Sequence, residues 1–206
     1  MSDISNAASA RLGEFAAGLR AVTAPLGTAR PFVCKGHPLA CRVALVGANP
    51  SSATPFWPSW HDERGMDRPA WLDAYRMQHG GRFRRSRAAI ERLVARLDGP
   101  LLELNAHASQ SRRLAQLAVA ERDTQVLAFM LNAVRPLVVI CAGRHAHRAV
   151  DALALPWPHE TIEAPHFIYW GRDSEARLCA EIARLLQANP ASGQARERER
   201  PSNAPS

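Results

Sequence analysis

Apolar side chains recur at helical spacing between residues 4 and 22, at Leu12, Phe15, Ala16, Leu19 and Val22, and Pro25 with Gly27 stops that helix. Runs of another kind follow. Arg42-Val-Ala-Leu-Val-Gly47, Leu101-Leu-Glu-Leu-Asn105 and Pro136-Leu-Val-Val-Ile-Cys-Ala-Gly143 are apolar at consecutive positions, as strands buried on both faces are. Helical stretches over 68–78, 83–97, 121–134 and 144–154 separate or follow them. A weaker extended segment at 161–169 precedes a last helix at 174–186, with Ser174 or Asp173 as its N-cap. The alternation predicts an α/β fold, a three-layer α/β/α sandwich around a central four-stranded, mostly parallel sheet. One domain over residues 1–188, with its core at about 30–188, is expected, and the Pro-, Ser- and charge-rich tail at 189–206 reads as disordered.

In such a sheet the ligand crevice lies outside the carboxyl ends of the strands, so the residues there carry the candidate chemistry. The first strand runs into Gly47-Ala-Asn49-Pro50-Ser51-Ser52 and then Phe56-Trp57-Pro-Ser-Trp60. Asn49 offers a donor and an acceptor at a strand end, which favours a functional loop over a plain Asn-Pro turn. Trp57 and Trp60 fit a stacking wall and a packed core equally well. The second strand runs into Asn105-Ala-His107, and the last extended segment into Glu163-Ala-Pro165-His166-Phe167. One crevice can collect all three ends.

Charge narrows the partner class. The 206 residues are 47% hydrophobic and 22% charged, with 26 basic against 19 acidic side chains, a net charge of +7, and a pI of about 10.2. That balance attracts polyanions, nucleic acid first. All the basic residues but Lys35 are arginine, and they cluster in Arg82-Phe-Arg84-Arg85-Ser-Arg87 and Arg112-Arg113. Those clusters read either as phosphate contacts or as a solvated charged face. The N-terminus lacks the basic-then-apolar order of a secretory signal, so Cys34, Cys41, Cys141 and Cys179 are expected to be thiols of a cytoplasmic protein. Cys34-Lys-Gly-His37-Pro-Leu-Ala-Cys41 lacks the paired spacing of a metal knuckle and reads as a structural loop. No uncharged run approaches the roughly 20 apolar residues of a membrane span.

Taken in order and spacing, the strand with Gly47-Ala-Asn49-Pro50, the strand ending in Asn105, the strand from Leu137 to Cys141 with Gly143, and the late histidine loop resemble the uracil-DNA glycosylase superfamily. The likeness covers roughly residues 30–188, and its sharpest element is the Gly-x-Asn-Pro loop, as in a bacterial branch of that family. The resemblance implies that Asn49 holds the attacking water, that Asn105 reads the base edge, and that His166 stabilises the departing base oxygen. The family writes His-Pro-Ser where this chain has Pro165-His166-Phe167. Phe56 or Trp57 would stack on the flipped base. Ser51 stands where the uracil-specific branch has a tyrosine that crowds the C5 edge, so that edge is expected to be open, with Ser51, Ser52, Glu103 and His107 available to polar substituents.

The implied enzyme is a monomeric DNA glycosylase acting on single- or double-stranded DNA. It would excise a damaged or C5-modified pyrimidine, such as the hypermodified cytosine of phage DNA in an antiviral role. It would leave an abasic site and need no metal or cofactor. Arg84, Arg85, Arg112 and Arg113 would hold the DNA backbone. The alternative is a non-catalytic DNA-binding module on the same fold. A flavodoxin-like nucleotide-binding protein ranks behind both, because the first loop lacks the glycine patterns of dinucleotide and Walker sites.

Overall fold

A computed structural model describes residues 2–189, with side chains from residue 10 onward. The expected disorder of the tail concerns residues that, apart from Asn189, lie outside this range. The chain runs through α1 (Ser2–Thr23), β1 (Val33–Lys35), β2 (Val43–Gly47), β3 (Trp60–His61), β4 (Gly65–Met66), α2 (Arg68–Gln78), α3 (Arg85–Arg96), β5 (Leu101–Asn105), α4 (Gln125–Val134), β6 (Val138–Ala142), α5 (Arg144–Asp151), β7 (Glu160–Ala164) and α6 (Arg172–Ala188).

Five strands form one mixed sheet in the order β1-β5-β2-β6-β7. The last four of these run parallel to one another, and β1 pairs antiparallel to β5 at the edge, Val33 opposite Glu103. The sheet therefore differs from the four strands expected. Val33-Cys-Lys35 is too short to show a period, and its pairing depends on β5, some seventy residues later. β3 and β4 form a separate two-stranded hairpin.

Alternate residues of each inner strand feed two different cores, which is why those strands read as continuous apolar runs. Ala44, Val46, Leu102, Leu104, Val139 and Cys141 face a cluster containing Leu12, Phe15 and Leu19 of α1 and Leu127, Met130 and Leu131 of α4. Val43, Leu45, Leu101, Val138 and Ile140 face Ile90 and Leu93 of α3 and Leu178 and Ile182 of α6. Gly18 lets α1 close on α4, since a Cβ there would sit 2.7 Å from the Phe129 ring. Lys35 donates from Nζ to the carbonyls of Val94 and Leu97 at 3.2 and 2.7 Å, placing the chain's one lysine at the negative end of α3.

Helix ends depart from expectation where local hydrogen bonds compete. The N-cap of α6 is Gly171 rather than Ser174 or Asp173: Ser174 lies within the first turn, and its Oγ accepts the Gly171 N–H at 2.8 Å. α4 begins at Gln125 because residues 119–121 form a separate turn of 3-10 helix. α5 ends at Asp151, short of Ala154, whose φ of 44° is left-handed. Among the described residues no helix is long and apolar enough to cross a membrane. The buried Cys34 and Cys41 sulfurs lie 3.4 Å apart, at the two ends of the segment that the sequence suggests is structural.

Candidate functional site

Because β5, β2, β6 and β7 are parallel, their carboxyl ends emerge on one edge of the sheet, and backbone hydrogen bonds lace the emerging loops together. Ala106 N–H donates to Gly47 O at 2.8 Å, His107 N–H to Ala48 O at 3.0 Å, Ser111 N–H to Pro50 O at 3.0 Å and Gly143 N–H to Ala164 O at 2.8 Å. Gly47 is needed for close approach. A Cβ there would stand 2.9 Å from Asn105 Oδ1 and 3.0 Å from Phe167 Cε2, so a side chain would displace both.

A cavity of about 610 Å³ opens over these loops, and Asn49, Ser51, Asn105 and His166 all line it. Asn49 is half-buried, and its Nδ2 donates to Ser111 O and Oγ at 2.9 and 3.0 Å. Those bonds fix the carboxamide and leave Oδ1 as the acceptor that no described residue uses. Asn105, the last residue of β5, makes no side-chain hydrogen bond to a described residue. His166 Nδ1 accepts the Ile168 N–H at 3.4 Å. Partial burial lowers the pKa of its imidazole below the usual 6.5, although the residue as a whole is exposed. With Nδ1 as acceptor on a neutral ring, the proton sits on Nε2, which is then a neutral donor.

The charge of the walls has one sign. Arg84 and Arg85, at the start of α3, and Arg112 and Arg113, in the loop after β5, line the cavity, are exposed, and have no acidic partner among the described residues. No Asp or Glu lines it. A second cavity of about 560 Å³ adjoins the first and shares Ser51, Ser52, Arg84 and Arg112 with it; Gln78, His79 and Gln110 extend its wall.

Three expected base-binding residues lie elsewhere. Phe56 is 1% exposed and packs among Phe32, Trp57 and Trp60 with ring centres 4.8 to 5.8 Å apart, so it belongs to the core. Trp57 sits edge-on to Phe56 beneath the Arg20 guanidinium, whose Cζ is 4.3 Å from its ring centre. His107 is buried and turned away, its Nε2 2.8 Å from His145 Nε2 and its Nδ1 3.2 Å from Asp123 O. The core alternative also holds for Trp60, whose Nε1–H donates to Asp62. Ser52 is buried in a hydroxyl network with Thr54 and Gln78, and Glu103 is ion-paired beneath the cavity rather than lining it.

The aromatic walls come instead from Tyr75 on α2 and from Phe167, and two further arginines, Arg30 and Arg87, complete the lining. Phe167 was within reach of sequence reasoning as the neighbour of His166. Arg30 and Tyr75 carry no local signal, since only the pairing of β1 with β5 and the packing of α2 bring them to the strand ends. A comparison of the chain with protein-family models and with the curated proteins finds no match, so the residues themselves carry the functional reading.

Proposed function

We propose that the protein is a DNA glycosylase that takes a flipped pyrimidine nucleotide into the 610 Å³ cavity and hydrolyses its N-glycosidic bond. One observation carries the reading: two carboxamides and a neutral imidazole from three strand ends meet in a cavity that no carboxylate lines and whose rim carries Arg84, Arg85, Arg112 and Arg113, none ion-paired to a described residue. A polyanion is drawn to such a rim. A base drawn out of the stack finds ring faces in Phe167 and Tyr75 and edge partners in Asn105.

Breaking the N-glycosidic bond leaves the bonding electrons on the base and positive charge on the sugar. Asn49 Oδ1 accepts from a water and orients it toward the anomeric carbon, while His166 Nε2–H donates to the base oxygen on which negative charge grows. The water oxygen bonds to that carbon, and its proton leaves with the base or with solvent. Removing one such donor typically costs about 10²- to 10³-fold in rate.

Ser51 supports a base with a C5 substituent, because its small side chain stands on walls of both cavities. A substituent passing Ser51 has the second cavity to enter. The test is alkali-labile strand cleavage after incubation with oligonucleotides carrying uracil, a mismatched thymine, 5-hydroxymethylcytosine or its glucoside. Base release that falls about 10²- to 10³-fold in Asn49→Ala and His166→Ala supports the proposal. Salt-dependent DNA binding without base release from any of them would leave the binding module.

A further inference from the structure

A charge is costly to bury without a counter-charge, and proteins bury arginine as a rule beside a carboxylate. One wall of the cavity breaks that rule. Arg87 reaches Glu91 and Glu103 at 3.1 and 2.6 Å, and Arg68 reaches the same two acids at 2.8 and 3.3 Å. Arg30 is the third guanidinium of this group and is 8% exposed. It forms no ion pair with a described residue, and its Nε is enclosed without a hydrogen-bond partner. Its Cζ lies 5.3 Å from the centre of the Trp71 ring, which Arg87 also approaches, at 5.1 Å.

Three buried or nearly buried guanidinium groups thus stand against two carboxylates, and the one left over lines the cavity. Burial and the neighbouring Arg87 hold the Arg30 pKa down to about 10, which still leaves it charged at neutral pH. The Arg30 backbone N–H donates to Ala108 O at 2.9 Å and Ala29 bridges Ser109, so Arg30 sits beside the turn that follows Asn105.

We propose that Arg30 is a built oxyanion site, and that the group it takes is a phosphate of the nucleotide that enters the cavity. The inference rests on the cavity being a nucleotide site and not on base excision. A phosphate supplies the missing negative charge and presents oxygens to the forked donors of the guanidinium. No acidic side chain lines the cavity to oppose it. The rim arginines attract the same chemistry, but they are exposed to water, whereas Arg30 is enclosed by its surroundings. The phosphate belongs either to the backbone of a strand or to a free nucleotide.

Thermal unfolding of the full chain and of Arg30→Met and Arg30→Lys, with inorganic phosphate, dCMP or deoxycytidine at constant ionic strength, tests the site. Phosphate and dCMP should raise the wild-type midpoint and deoxycytidine should not. Arg30→Met should unfold no earlier than wild type without ligand, because it removes an uncompensated charge and strands no carboxylate. It should lose the phosphate response, and its affinity for a short oligonucleotide should fall about 10- to 100-fold. Arg30→Lys, which keeps the charge without the fork, should retain part of both, and it carries the test if the methionine variant does not fold.

Single methylphosphonates placed around the central nucleotide then identify the source. A position-specific loss seen in wild type but not in Arg30→Met assigns a backbone phosphate, and a dCMP response with no such position assigns a free nucleotide. A wild type without phosphate response, or an Arg30→Met protein that keeps it, overturns the proposal. An Arg30-dependent phosphate response without base release would instead overturn the glycosylase reading and leave this one standing.

Discussion

Glu103 is the residue whose loss the fold should tolerate least. Its carboxylate accepts from Arg87 at 2.6 Å and from Arg68 at 3.3 Å, and the three side chains are 7%, 5% and 13% exposed, so water cannot take its place. Glu103→Leu leaves Arg30, Arg68 and Arg87 facing Glu91 alone. Breaking a buried pair from one side costs about 3 to 5 kcal/mol, against a total of about 5 to 15 kcal/mol for an ordinary domain. Glu103→Gln keeps one neutral acceptor and should lose less, about 1.5 to 3 kcal/mol. The assay is the urea midpoint at unchanged m-value. The double variant Arg87→Met/Glu103→Leu should recover much of the loss, since an apolar pair of similar volume replaces an ion pair without stranding a charge. A loss below about 1 kcal/mol in Glu103→Leu, or a double variant as unstable as the two single losses summed, would refute the claim that this cluster is desolvated and coupled.

Gly47→Ala should fold yet release base much more slowly, because its Cβ displaces Asn105 Oδ1 from 2.9 Å and Phe167 from 3.0 Å; displacements near 1 Å cost about 10²-fold, and wild-type turnover would remove Asn105 from the site. The His166 pKa is lowered, so the neutral ring holds from neutral pH down past the ordinary 6.5, and base release should decline only below that value as protonation takes the Nδ1 acceptor from the Ile168 N–H; a decline that begins above 6.5 would contradict it. Arg84→Ala/Arg85→Ala should flatten the salt dependence of DNA affinity by about one unit per lost phosphate contact, read from a salt titration. Ser51→Tyr should block large C5 substituents while sparing uracil, and an equal loss on both would show that Ser51 does not face C5.

What the sequence makes legible here follows how locally each feature is determined. Val43 to Val46 and Val138 to Cys141 read as buried strands because every position along them meets an apolar neighbour on one face or the other. Asn49, Asn105 and His166 could be singled out because each stands at a strand end, and parallel pairing brings such ends to one edge. β1 was not legible, since three residues show no period and their partner is distant. Phe56 and Trp57 sit in the right loop with the wrong orientation: Phe15 and Phe32, from earlier in the chain, draw the aromatic group into the core, a choice the loop itself does not encode. His107 follows Asn105 by two residues, but its ring is buried against His145 and does not line the cavity.

Arginine richness sorts by partner along α3 and its lead-in. Arg87 turns inward to Glu103 on β5, and Arg92 grips the fully buried Glu175 of α6, so these two fasten the helix to the sheet and to its neighbour. Arg84 and Arg85, at the start of the same helix, have no acidic partner among the described residues and stand where the helix N-terminus adds its own partial positive charge. The same residue type therefore fastens the helix through Arg87 and Arg92 and charges the cavity through Arg84 and Arg85. Composition reports only the total, +7, which does not distinguish the two uses. The difference lies in where Glu91, Glu103 and Glu175 fall: none of them lines the cavity, so Arg87 is neutralised from outside the lining by Glu91 and Glu103, whereas Arg30, Arg84, Arg85, Arg112 and Arg113 line it with no ion pair to a described residue.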